Sequence, residues 1–343
     1  MGFIVFIDRK GTLKGLLCSV AFLVLLFPLP VLAVGVPPVV RVEALDSSGT
    51  VRLKKAQVAL VQSFIKLTQD HTLGEIQADP KLRFLYSNLA VRLGQQYAKL
   101  KRPDLELLYV QAAVDNDPKF FAWHTFLGSA FFMRRRYLEA QQSLETAKEL
   151  ISKAPGNQPR KLIYQINILQ TLGHSLAELK RYKEAETSYL QAIKVMGTGD
   201  HTAGQSLGHL YGYMALLYYK WGHETEGRTY LNKAMAFKGD RGGNRIYQGS
   251  LLATLGVWSS SVQKNQEAVG YFEQALVLFE SEGPNSTPYQ RWVEVQINLS
   301  ELYRRLGKTN KRRAALQGVV NICKQETYQG EERHCRRAKK ELR

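Results

Sequence analysis

The chain has 343 residues, 45% of them hydrophobic, and a formal net charge of +17 from 47 Lys+Arg against 30 Asp+Glu. The apolar content is that of an ordinary folded protein, with length for one large or two ordinary domains. The charge favours acidic partners, anionic surfaces or nucleic acid without choosing among them. Much of it sits at one end: from Arg304 onward there are 13 basic residues against 4 Glu.

At the N-terminus, Arg9, Lys10 and Lys14 precede an apolar run from Leu16 to Phe27, then Pro28, Pro30 and Val31-Leu32-Ala33. This is the layout of a secretory signal, so residues 1–33 are expected to be a signal peptide cut after Ala33. The alternative is a retained single-pass anchor from Leu16 to Val36, close to the roughly 20 residues a bilayer span needs. Pro28 and Pro30 favour cleavage, because they break the helix where a processing enzyme needs extended chain. The chain is therefore expected to be exported, periplasmic or secreted if cut and membrane-tethered if not. Leu17 before Cys18 argues against a lipoprotein, and Phe6 occupies the place where myristoylation needs Ser or Thr.

Residues 34–50, with Pro37, Pro38 and Asp46-Ser47-Ser48-Gly49, read as a linker. Leu53, Leu60, Phe64 and Leu67 mark a leading helix or cap within 51–79. Asp79-Pro80 then supplies an N-cap and a first-turn Pro for the next helix.

From Pro80 the chain repeats. The stretch from Leu172 to Ala192 places Leu172-Gly173, Leu176, Tyr182, Ala185, Tyr189 and Ala192 at helical spacing on two amphipathic segments separated by Lys180-Arg181. The same anchors return as Leu93-Gly94, Leu127-Gly128, Met214-Ala215, Leu255-Gly256 and Leu299-Ser300. A second anchor falls on Tyr97, Phe131, Leu176, Tyr218, Ser259 and Tyr303. Small residues recur at Ala140, Ala185, Gly227 and Ala268, and the closing positions are Ala113, Ala147, Ala192, Ala234, Ala275 and Val319. Paired helices that approach this closely require small residues where they meet. The six units lie near 87–120, 121–154, 166–199, 208–241, 249–282 and 293–326, and a basic C-terminal helix or cap fills 327–343. Glu106 and Pro103 in the first unit and Arg312 and Val319 in the last depart from the pattern, as terminal units of an array do.

This pattern resembles the tetratricopeptide repeat family, whose signature joins L-G-x2-Y, A-x3-F, a closing Ala and a following Pro; Pro118 fits the last. The resemblance covers residues 80–326 and implies an all-α, right-handed solenoid of tandem antiparallel helix pairs. Spacings of 41 to 45 residues between anchors after Gly128, against 34 from Gly94 to Gly128, are similar to those of the kinesin-light-chain type.

No phosphate loop, dinucleotide fingerprint, H-E-x-x-H or nucleophile elbow occurs, so the chain reads as a non-enzyme with no cofactor and no metal. His174, His201, His209, His223 and His334 are scattered over different units and read as surface or packing residues. The loop Lys238 to Arg245 reads as a connector rather than an anion cradle. Asn285 and Asn298 sit in glycosylation acceptors that matter only where the source glycosylates.

In the family the first helix of each unit lines the concave face. The resemblance therefore projects Asn88, Gln95 and Lys99; Thr125, Ser129, Phe132 and Met133; Asn167, Gln170 and His174; and His209, Tyr219 and Lys220 onto a groove suited to an extended peptide or a partner helix. The alternative binding surface is the basic end, where Arg333, Arg336, Arg337, Lys339 and Lys340 face an anionic lipid headgroup or polyanion. No aromatic residues interleave there to stack on bases, so nucleic acid is disfavoured. Cys323 and Cys335 are either two free thiols or a disulfide across a turn at Gln325 to Gly330. The expected function is a protein- or peptide-binding scaffold in envelope assembly or secretion, without a small-molecule substrate; the alternative is an adaptor to anionic surfaces.

Overall fold

The computed structural model describes residues 55–100, 102–156, 159–197, 207–236, 244–280, 289–324 and 332–342. The expected signal segment, the linker, His201, residues 238–243, the Asn285 acceptor and the Gln325 to Gly330 turn lie outside them. Among the described residues there are fifteen helices and no strand, and they fall into two compact units divided after Arg181.

The first unit holds α1 (Lys55–Asp70), α2 (Leu73–Ala78), α3 (Pro80–Lys99), α4 (Pro103–Asn116), α5 (Phe121–Met133), α6 (Tyr137–Lys153) and α7 (Pro159–Glu178). The leading helix expected from its apolar stripe is α1, which buries Leu60, Phe64 and Leu67. The Phe64 ring lies 5.2 Å from Tyr86 and 5.8 Å from Tyr109, so α1 closes the open end of the first hairpin. The short α2 has six residues, too few to show a stripe. Its start was nevertheless written in Thr72 and Glu75, a capping box in which Thr72 N–H donates to Glu75 Oε2 at 2.7 Å and Glu75 N–H to Thr72 Oγ1 at 3.3 Å. Asp79 caps α3 as expected, its Oδ1 accepting from Lys81 N–H at 2.7 Å, with Pro80 in the first turn.

The second unit holds α8 (Tyr182–Gly197), α9 (Leu207–Trp221), α10 (Glu224–Ala236), α11 (Asn244–Ser261), α12 (Asn265–Glu280), α13 (Tyr289–Arg305), α14 (Thr309–Ile322) and α15 (Glu332–Leu342). In each unit consecutive helices pack pairwise, α3 on α4, α5 on α6, α9 on α10, α11 on α12 and α13 on α14, while α5 also meets α7 and α13 also meets α11. The architecture is all-α, built from tandem helix hairpins.

The periodic anchors are what hold the hairpins closed. Ala113, Ala140, Ala147, Ala185, Ala192, Ala234, Ala268, Ala275 and Val319 have no exposed surface. At Gly128 even one methyl group has no room, since a Cβ there would stand 2.5 Å from Leu144 Cγ and 3.2 Å from the Ala140 carbonyl. Gly256 meets Phe272 in the same way, at 2.8 Å.

The hairpin turns obey a rule of their own. Seven residues after Gly128, Gly173, Ala215, Gly256 and Ser300 the backbone enters the left-handed region, at Arg135 (φ 59°), Lys180 (62°), Gly222 (89°), Gln263 (64°) and Gly307 (69°). The next residue then donates its N–H back across the turn to the carbonyl of the second anchor: Arg136 to Phe131, Arg181 to Leu176, His223 to Tyr218, Lys264 to Ser259 and Lys308 to Tyr303, over 2.8–3.1 Å. This six-to-one bond and its inner companion form a Schellman ending, which satisfies the last carbonyls of each first helix. Glycine occupies the left-handed position twice; elsewhere Arg, Lys and Gln accept the strain.

Polar clasps tie neighbouring hairpins near these turns. Arg134 Nη2 meets Glu106 Oε2 at 2.9 Å, Arg181 donates to Gln141 at 2.7 Å, Lys264 pairs with Glu224, and Glu273 takes both the Tyr303 hydroxyl at 2.7 Å and Lys311 at 3.1 Å. Glu106, atypical for its place in the repeat, thus has a partner in the following hairpin.

Candidate functional site

In the first unit α3 lies beside α5 and α5 beside α7, so the three form one layer. Between α5 and α7 the Phe132 ring stacks on His174 with centroids 5.8 Å apart. Ser129 hydroxyl donates to the Thr125 carbonyl at 2.9 Å, which holds it against its own helix. Asn167 and Gln170 are half-buried on the same layer. Gln170 Oε1 is buried without a hydrogen-bond partner, a cost that a donor from a bound chain would relieve. On α3, Gln95 and Lys99 are exposed and Asn88 is half-buried.

Two of the thirteen projected groove residues are core residues instead. Thr125 is 5% exposed and spends its hydroxyl on the Phe121 carbonyl at 2.9 Å. Tyr219, on α9 in the second unit, is 2% exposed. Its ring lies where a side chain at Gly227 would be, 3.0 Å from that position, and 5.2 Å from Trp258. The Tyr271 hydroxyl stands 3.2 Å from the Tyr219 hydroxyl. The missing side chain at Gly227 opens the space that draws Tyr219 inward. On the same helix Lys220 is exposed, and His209 is half-buried with its ring 3.8 Å from Tyr247. Burial pushes the His209 imidazole below the usual histidine range, so it is neutral near pH 7.

Sequence reasoning missed a set of exposed apolar side chains on the first-helix layer. Phe84 is 47% exposed, with Leu85 beside it, and Ile163 lies on α7. Phe84 precedes Asn88, and Ile163 precedes Asn167, by one helical turn, so both continue the projected lines toward the N-terminal ends of their helices. Met133, projected onto the groove, is 77% exposed. Phe84 also joins a run of rings through Phe120 at 5.7 Å, Phe121 at 5.1 Å and Tyr164 at 5.3 Å, which links α3, α5 and α7.

At the basic end, Cys323 and Cys335 form a disulfide with Cα atoms 5.9 Å apart. It fastens α15 onto α14 and α13, where Ala338 joins Val293, Ile297, Leu316, Val319 and Val320 in one core. Arg336, Lys339 and Lys340 are exposed, as is Arg333. Arg337 departs from the expected anion patch: it binds Glu341 at 2.7 Å and Glu301 at 3.7 Å. Arg312 also reaches Glu341, at 3.0 Å, so part of the basic charge is consumed in docking the helix.

No three His, Cys, Asp or Glu side chains converge on a metal position among the described residues, and no described helix is long and apolar enough to cross a membrane. A family model described as tetratricopeptide repeat matches residues 166–195. Over those residues the chain carries a tetratricopeptide repeat. The match takes in the whole stretch from Leu172 to Ala192, where α7 ends the first unit and α8 begins the second. Three solved structures are similar at low identity. A Rap protein complexed with Competence and Sporulation Factor is 16% identical, with a TM-score of 0.52 over 78% of this chain and 76% of that one. The type IV pilus biogenesis factor PilW is 14% identical, with a TM-score of 0.48 over 70% and 95%, and PilF of Pseudomonas aeruginosa is 14% identical, with 0.44 over 76% and 99%. No curated protein matches by sequence.

Proposed function

We propose that this tetratricopeptide-repeat protein is a non-enzymatic scaffold that binds a protein or peptide segment along the first-helix face of its repeats. The observation that carries this reading is the face of α5 and α7. It sets the Phe132–His174 stack beside a buried amide oxygen of Gln170 that has no partner, and Met133 stands out from the end of α5. Apolar surface next to an unsatisfied acceptor suits a chain that brings both a side chain and a backbone N–H.

The scaffold works outside the cytoplasm, in envelope assembly or secretion. The charged, apolar and Pro-broken segment over residues 1–33 supports export, and a disulfide between Cys323 and Cys335 suits an oxidising compartment. A photo-crosslinking residue placed at Met133 in native envelopes should capture one stoichiometric partner, and Gln170→Arg should abolish capture while the melting curve is retained. The same crosslinker at Glu149, exposed on the second helix α6, should capture nothing. Equal capture from both positions would defeat the reading, and N-terminal sequencing of the mature chain tests cleavage after Ala33.

A further inference from the structure

Charge in the first unit is sorted by layer. The first helices α3, α5 and α7 carry six Lys or Arg and a single acidic residue, Glu178, at the last position of α7. The second helices α4 and α6 carry six Asp or Glu against two Lys. A surface on which charge serves only solubility mixes its signs; here one layer is cationic and its neighbour anionic.

Within the cationic layer the charges lie beside the apolar groups. Lys81, Phe84, Asn88, Arg92, Gln95 and Lys99 follow one another on α3 at three- and four-residue steps, a single stripe along the helix. Lys81, Phe84, Arg92, Gln95 and Lys99 are all exposed. On α7, Arg160 and Ile163 repeat the pairing of an exposed cation with an exposed apolar side chain. Lys81, Arg92, Lys99 and Arg160 take part in no ion pair among the described residues. In the second unit, by contrast, Lys264, Lys311, Arg304, Arg312 and Arg337 are engaged by Glu224, Glu273, Glu301 and Glu341.

We infer that the first-helix face of the first unit recognises an acidic segment of a partner protein that also carries apolar side chains. Its carboxylates lie against Lys81, Arg92, Lys99 and Arg160, and its apolar groups against Phe84, Ile163 and Met133. The inference rests on the groove reading above and adds the chemistry of the occupant. Cations set beside apolar surface give both steering and a dry contact, whereas a basic segment would meet like charge along the whole stripe.

The test uses the full chain and labelled synthetic peptides of about 16 residues, some four helical turns. One is an amphipathic sequence of Glu, Leu and Ala; the others replace every Glu by Lys, every Glu by Gln, or every Leu by Ser. Fluorescence anisotropy should show the Glu-Leu peptide binding at least about tenfold more tightly than the Lys and Ser forms and several-fold more tightly than the Gln form. Its affinity should fall about tenfold between about 0.05 and 0.3 M salt. The double variant Arg92→Glu/Lys99→Glu should weaken it at least tenfold and bring the Lys peptide up, while Lys148→Glu on α6 changes neither. Because all three sites are exposed, an unchanged melting curve accompanies each variant.

Equal binding of the Glu and Lys peptides, survival of Glu-peptide binding in the double variant, or failure of every peptide to bind would overturn the inference. So would a protein that ignores the peptides yet sediments with phosphatidylglycerol–phosphatidylcholine vesicles. If the Gln peptide binds as well as the Glu peptide and Gln170→Arg removes both, the acidic occupant is wrong while the groove reading survives. Loss of the groove reading is registered separately, by equal crosslinking from Met133 and Glu149.

Discussion

Gly128→Ala and Gly270→Ala are the same chemical change in two helices and should have opposite signs. At Gly270, in the interior of α12, nothing lies within 4 Å of a built Cβ. Only helix propensity acts there, and Ala gains about 1 kcal/mol over Gly. At Gly128 the same methyl would stand 2.5 Å from Leu144 Cγ and 2.9 Å from its Cδ2, and Leu144 is fully buried with nowhere to turn. Overpacking of a rigid core costs about 1–3 kcal/mol, so with the propensity gain of about 1 kcal/mol set against the upper part of that range Gly128→Ala should be destabilising, by up to about 2 kcal/mol. Gly128→Val, with two further methyls in the same gap, should lose more.

Urea unfolding supplies the overall ranking. Amide exchange in α5 and α6 gives the local value, because a repeat array need not unfold in one step. Leu144→Ala removes the obstructing branch, so the pair Gly128→Ala/Leu144→Ala should be less damaging than the sum of its parts, a favourable coupling on the order of 1 kcal/mol. If Gly128→Ala stabilised the protein as much as Gly270→Ala does, the close approach of α5 to α6 would be wrong. Simple additivity with Leu144→Ala would refute the contact itself.

The left-handed turn residues give a second test: Lys180→Gly and Gln263→Gly should each stabilise by about 0.5–1 kcal/mol, while Gly222→Val should cost about 1–2 kcal/mol, read as shifts in denaturation midpoint. Removing the disulfide by Cys335→Ser should cost about 3 kcal/mol by the loop-closure estimate, with the loss appearing first as fast amide exchange in α15 rather than in α1 to α6. The acid limb should report Glu301. Hydrogen bonds from Arg304 and then Arg305 hold its carboxyl down to about 2. A depressed folded value means that its contribution is complete above the unfolded carboxylate range near pH 4.3 and is lost as pH falls toward about 2. Glu301→Gln should flatten exchange protection in α13 and α15 across that window; an unchanged profile would show that the cluster does not couple to folding.

The repeat anchors were legible because they answer to local geometry. A hairpin of two helices admits only small side chains where the backbones approach, so Gly128, Ala140, Ala147 and their equivalents declare both the helices and their pairing. The turn between the helices was legible too, though less directly. Its left-handed residue stands at a fixed distance from the anchor, but Arg135, Lys180 and Gln263 disguise a position that glycine marks only at Gly222 and Gly307. The capping box at Thr72 and Glu75 shows the converse, a clear terminal signal attached to a helix too short for periodicity to confirm.

What the sequence by itself determined is the all-α hairpin array and the burial of its anchors, since both follow from side-chain size and period along one or two neighbouring helices. The tertiary structure decided which faces remain available. Tyr219 and Lys220 are adjacent on the projected groove line, yet Gly227 on the next helix opens the space that takes Tyr219 into the core while Lys220 stays exposed. Arg337 and Arg336 are adjacent cations, yet only Arg337 falls within reach of both Glu301 and Glu341. Which of Phe84, Ile163 and Met133 stay exposed on the first-helix layer depends on which helices become neighbours. Distances between helices, and the competition of distant residues for the same space or charge, are not encoded in the spacing along any single one.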